Sequence, residues 1–104
     1  MVLYIQKYDV VHGMMDEFIE WAKTAIPRIM SVPGLVEFRS YRPAVSDSQI
    51  ANTYEFADMG SWAAFQENET IQQLLQEVRT YTVNFNSELW GPSPVVPAPL
   101  RPGQ

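Results

Sequence analysis

Residues 2–11 read Val-Leu-Tyr-Ile-Gln-Lys-Tyr-Asp-Val-Val, and residues 15–30 read Met-Asp-Glu-Phe-Ile-Glu-Trp-Ala-Lys-Thr-Ala-Ile-Pro-Arg-Ile-Met. The first stretch is rich in β-branched and aromatic residues and is punctuated by Gly13, which predicts a strand. In the second, Met15, Phe18, Ile19, Ala22, Ala25, Ile26 and Ile29 recur at spacings of three and four. Asp16, Glu17, Glu20, Lys23 and Thr24 fall on the other side. That period predicts an amphipathic helix. Pro27 lacks an N–H, so a kink or break is expected near Ala25 and Ile26, and Pro33-Gly34 ends the segment.

Working outward, Leu35–Arg42 and Gln49–Ala57 have strand composition and flank a turn-forming loop from Pro43 to Ser48, which predicts a hairpin. A short helix carrying Trp62 and Phe65 follows. After a local break around Asn68, Thr70 as N-cap with Gln73 three residues on predicts a second helix that buries Ile71, Leu74, Leu75 and Val78. Residues 81–89 alternate, with Tyr81, Val83, Phe85 and Leu89 on one face and Thr82, Asn84, Asn86 and Glu88 on the other, as in a last strand. From Gly91 on, five of the eight prolines exclude helix and central strand, so a domain over 1–90 and a proline-rich tail over 91–104 are expected.

The order strand, helix, strand, strand, helix, strand is that of a split β-α-β, ferredoxin-like α+β domain whose helices cover one sheet face. Both parities carry large apolar groups, Val2 and Tyr4 beside Leu3 and Ile5, and Val36 and Phe38 beside Leu35 and Tyr41. Burial of both faces is therefore expected, with a homodimer closing sheet against sheet.

Composition narrows the function classes. The chain has 104 residues, 46% apolar and 18% charged, which fits one folded domain and excludes a disordered chain. Its net charge of −5 argues against nucleic acid as a partner. There is no cysteine and one histidine, so neither a thiolate nucleophile nor a metal site built from protein ligands is expected. No run approaches the roughly twenty apolar residues of a membrane span. Gln6, Lys7 and Asp9 would interrupt an export signal, so the expectation is a cytoplasmic protein that does not engage a membrane.

Several local strings carry a family resemblance: Val11-His12-Gly13 before the first helix, Val32-Pro33-Gly34-Leu35 leading to Phe38-Arg39-Ser40-Tyr41-Arg42, Tyr54-Glu55-Phe56, and Ser61-Trp62-Ala63-Ala64-Phe65. Over roughly residues 2 to 92 the chain resembles the antibiotic biosynthesis monooxygenase family of dimeric α/β-barrel proteins. The resemblance implies a small-molecule cavity between sheet and helices in each subunit of a homodimer. The family includes cofactor-independent quinone-forming monooxygenases, haem-degrading members, aldehyde- and quinol-handling relatives and proteins without assigned activity. The leading reading of this chain within it is oxidation of a phenolic or quinol substrate without a bound cofactor. The haem-degrading branch of the family does not carry over, because Gln6, Phe65 and Gln76 stand where its Asn, Trp and haem-ligating His are expected.

Candidate catalytic residues are His12, Trp62 and Asn84. His12 is the one side-chain type with an ordinary pKa near neutrality, but a lone His with no orienting carboxylate evident in the sequence reads first as a solvated turn residue before Gly13. Trp62 rests on the resemblance, and Asn84 is an amide inside a strand, where amides are disfavoured unless they meet water or a partner. Candidate substrate-binding residues are Gln6, Arg39, Asn52, Tyr54 and Phe65, which offer amides, a cation and aromatic surface to a flat aromatic ligand. Arg39 and Arg42 could bind an anionic ligand, but Glu37 and Glu55 offer ordinary carboxylate pairs, and pairing is the expected role of both. An isomerase or cyclase using His12 or a Tyr in the same cavity, and a binding protein without catalysis, are the alternatives. Convergence of Gln6, Asn52, Asn84 and His12 on one pocket favours the two enzyme readings over the binding protein, and oxygen consumption separates the two enzyme readings.

Overall fold

The computed structural model describes residues 1–103. Its elements are β1 (Val2–Val10), α1 (Met15–Met30), β2 (Leu35–Tyr41), β3 (Ile50–Phe56), α2 (Met59–Glu67), α3 (Glu69–Val78) and β4 (Thr82–Trp90). The strands form one antiparallel sheet in the order β2-β3-β1-β4. This is the ferredoxin-like fold, with the second helical segment divided into α2 and α3. Beyond Trp90, residues 91–103 form neither helix nor strand.

The period-two reading of β1 decides the core. Val2, Tyr4, Gln6, Tyr8 and Val10 are all buried on the face that meets the helices. Around Val2 and Tyr4 gather Phe56, Phe65, Ile71 and Leu74, and Phe56 is fully buried. Around Tyr8 and Val10 gather Phe18 and Val78. Gly34 ends the turn from α1 into β2 with φ +98°, a left-handed conformation that glycine adopts without steric cost.

Three local expectations meet a different outcome. α1 runs unbroken from Met15 to Met30 with Pro27 inside it. The hydrogen bond that Pro27 cannot make would have gone to the Lys23 carbonyl, and both residues lie on the exposed side of the helix, where water can take its place. Asn68, not Thr70, caps α3, its side-chain oxygen accepting from the Thr70 N–H at 2.9 Å. It also ends α2, so one residue serves both helices.

The third difference is in β4. Lys7 pairs with Asn86 but Asp9 pairs with Val83, so β4 holds one residue more than β1 over that interval. Asn84 takes φ 55° in this bulge, a left-handed conformation that Asn tolerates better than most residues. The extra residue reverses the alternation. Phe85 stacks on Tyr8 at 5.7 Å and 3°, whereas Val83, expected on the same face, is 46% exposed on the other.

Candidate functional site: a cavity between sheet and helices

A cavity of about 810 Å³ separates the helix-facing side of β1, β2 and β3 from α1 and α3. That volume is within the range of small-molecule sites. The helical wall is apolar, with Ala22, Ala25, Ile26 and Ile29 from α1 and Leu74 and Leu75 from α3. Small Ala22 and Ala25 leave room that larger residues would fill. Met15, Ile19 and Ile26 are 42–44% exposed along α1, so the cavity opens beside that helix.

The sheet wall is polar at its centre. Gln6 and Asn52 are paired across β1 and β3, and both are buried. Tyr54 donates its hydroxyl to Gln6 Oε1 at 2.8 Å. Ser40 donates its hydroxyl to Asn52 Oδ1 at 2.7 Å, and Asn52 Nδ2 donates to the Tyr8 hydroxyl oxygen at 2.9 Å. These bonds fix a direction. Both amide oxygens are occupied by hydroxyl donors, and the Tyr8 oxygen accepts from Asn52. The Gln6 amide N–H2 and the Tyr8 O–H make no hydrogen bond to protein among the described residues, so both remain available as donors.

Burial pushes the Tyr8 phenol up from its ordinary value, with the Asn52 hydrogen bond a smaller opposing effect. Burial likewise pushes up Tyr54. Both therefore stay protonated at neutral pH, and the wall offers donors to an acceptor oxygen of a ligand. Such donors, prearranged in an apolar surround, stabilise an oxyanion more strongly than water-exposed ones.

One flank is held by charge. Glu77 of α3 accepts from both Arg28 guanidinium N–H2 groups of α1 at 2.9 Å and from Trp21 Nε1 at 2.8 Å. The Arg28 and Trp21 hydrogen bonds bring the Glu77 carboxyl down to about 2. The clamp joins the two helices that form the apolar wall.

Of the residues expected at the site, Gln6, Asn52, Tyr54 and Phe65 line the cavity. Arg39, His12, Trp62 and Asn84 do not. The register of β2 turns Arg39 to the sheet face away from the helices, where it is exposed and bonded to Glu37. His12 is exposed on the turn before α1. The bulge puts Asn84 at the surface, donating to Asp9 Oδ2 at 3.0 Å. Asn84 and the Gln49 backbone N–H hold the Asp9 carboxyl below its ordinary value. Trp62 packs on Tyr4 at 6.1 Å behind the cavity, with its Nε1 buried and unpartnered. Gln6 and Asn52 thus converge, and Asn84 and His12 do not join them.

Tyr8 and Ser40 complete the polar wall and were not among the candidates. The signal was present in β1, where Tyr8 follows Gln6 by two residues and so shares its face. Ser40 is two residues from Phe38 on β2 in the same way.

Fold and site together define a ferredoxin-like α+β protein with a ligand-sized cavity under its sheet. No protein-family model matches the sequence, and no curated protein matches it. Solved structures do match. SnoaB, a cofactor-independent oxygenase from Streptomyces nogalater, is similar at TM-score 0.73 and 16% identity over 99% of this chain and 97% of its own. An antibiotic biosynthesis monooxygenase is similar at TM-score 0.74 and 10% identity over 90% and 100%. A dimeric ferredoxin-like protein of unknown function from Thermobifida fusca is similar at TM-score 0.71 and 12% identity over 86% and 88%. The chain has the fold of antibiotic biosynthesis monooxygenases.

Proposed function

We propose that the chain is a homodimeric oxidoreductase of the cofactor-independent monooxygenase type, acting on a phenolic or quinol aromatic substrate. The observation that carries the reading is the cavity of about 810 Å³ with free donors from Gln6 and Tyr8 on one wall and apolar side chains on the other. The similarity to SnoaB, described as a cofactor-independent oxygenase, agrees with it.

In this reading the substrate supplies the electrons. A phenol with an open para carbon gives its proton to solvent at the opening beside α1, and Gln6 and Tyr8 hydrogen-bond the resulting oxyanion. The electron-rich ring then passes electrons to dioxygen. The para C–H becomes C=O, the phenol C–OH becomes C=O, one oxygen atom stays on the ring and the other leaves as water. Four electrons pass from substrate to dioxygen. Ala25, Ile29 and Leu74, buried on the helical wall, give the ring an apolar surface.

Arg42 is the one charged residue lining the cavity among the described residues, so no carboxylate or imidazole is available there as a base. The substrate must therefore be acidic in its own right, and an isomerase or cyclase relying on His12 loses its support. The second reading is a binding protein that holds the same ligand without turnover.

The homodimer is supported by the sheet face away from the helices. Trp90 and Val83, opposite Leu3 and Asp9, are 49% and 46% exposed there, apolar surface that a second copy would cover. Anthrone tests the function, because its phenolic tautomer has an open para carbon. One mole of dioxygen consumed per mole, above the rate in buffer and with one ¹⁸O from ¹⁸O₂ in the anthraquinone, is the expected result. Binding of anthrone with no oxygen uptake establishes the second reading instead, and sedimentation velocity decides the dimer.

A further inference from the structure

The exposed and half-buried part of the cavity lining also takes in both ends of the connection between β2 and β3, Tyr41, Arg42 and Pro43 at one end and Ser48 and Gln49 at the other. Arg42 differs from most of the other basic side chains. Lys7, Lys23, Arg28 and Arg39 are each paired with a carboxylate within the chain. Arg42 makes no ion pair and no hydrogen bond among the described residues, and Asp47 in the same connection does not come within ion-pair distance of it. A guanidinium left unpaired on the lining of a cavity whose inner wall offers donors from Gln6 and Tyr8 adds a cationic donor for an acceptor group of a ligand. Its planar fork matches a carboxylate.

We propose that Arg42 is an anion subsite, and that the ligand is an aromatic acid. It places acceptor oxygens of its ring against Gln6 and Tyr8, its ring against the α1 wall, and a carboxylate on Arg42. This rests on the reading of the cavity as a site for a flat aromatic ligand and names the substrate class within it. The net charge of −5 repels anions at long range, so the preference comes from the local pair. The effect stays modest, because Arg42 is exposed.

The test compares anthraquinone-2-carboxylate with its neutral relative anthraquinone-2-carboxamide, titrated into the full chain and followed by quenching of tryptophan fluorescence. The carboxylate is expected to bind about fivefold more tightly at low salt, with the advantage shrinking as salt rises. Arg42→Gln is expected to remove that advantage while leaving the carboxamide affinity unchanged, and Arg42→Lys to keep part of it. Equal binding of both probes to the unmodified chain, or an equal loss of both in Arg42→Gln, overturns the subsite and leaves the aromatic cavity standing. Failure of both probes to bind overturns the cavity reading and this proposal with it.

Discussion

The helix-facing side of the sheet is filled differently along its length. At one end Phe56 is wholly buried with its ring 5.0 Å from that of Phe65, and Val2 completes the cluster. In the middle of the same strands, Gln6, Asn52 and Tyr8 face an open space whose far wall includes Ala22 and Ala25. The strands have the same pairing in both places. The difference lies in the side chains. Aromatic rings opposite aromatic rings fill their layer at the density of a protein interior, whereas amides opposite alanines leave a space that is wet or occupied by a ligand.

The largest test of that contrast is Phe56→Ala. A void at the filled end is expected to cost about 3–5 kcal/mol in urea denaturation. A loss under about 1 kcal/mol would mean that this end is as loosely filled as the middle. Next is Glu77→Gln, which weakens the α1–α3 clamp on one flank of the hollow region. Arg28 and Glu77 each keep about a third of their side-chain surface in water (33% and 32%), so the expected loss is held to about 1–2 kcal/mol near pH 7. The folded-state pKa of Glu77 lies below the ordinary 4.5, so its contribution is present above about 4.5 and fades as pH falls toward about 2. Melting temperatures of the two proteins should therefore converge across that window, and parallel curves would remove the clamp from the account.

Asn52→Leu strikes the hollow region alone. It removes the bonds to Ser40 and Tyr8 from a wall already open to the cavity, so stability should change by no more than about 1 kcal/mol. Affinity for an anthraquinone probe should fall about tenfold by calorimetric titration, because Tyr8 is no longer oriented. A large stability loss with unchanged affinity would make this region core after all. The smallest effect is expected of His12→Ala, within about 0.5 kcal/mol and with no change in oxygen uptake. A loss of turnover there would place chemistry outside the cavity.

Much of this was legible in one dimension. The two periods of residues 2–30 and the Pro33-Gly34 stop specify β1, α1 and the turn to β2 through local sterics and amphipathicity, and the hairpin follows from its loop chemistry. Gln6, Asn52 and Tyr54 were readable as site residues because amides and a phenol inside strands need partners. Tyr8 was missed although its parity with Gln6 places it. Arg39 lies on the other face from Phe38 and Ser40 by plain alternation, which a choice by residue type overlooks, whereas Asn84 is displaced by the one-residue bulge in β4.

The residues by themselves specify the order of elements and the apolar stripe of α1, since these depend on interactions within a few residues of one another. Tertiary structure alone decided three things. It allowed α1 to continue through Pro27, because the lost bond lies on the solvent side of that helix. It set the bulge at Asn84, because β4 must pair with both ends of β1. It made the cavity, because an empty volume is the difference between the spacing of neighbouring elements and the summed size of side chains from β1, β2, β3, α1 and α3, and no single segment carries that difference.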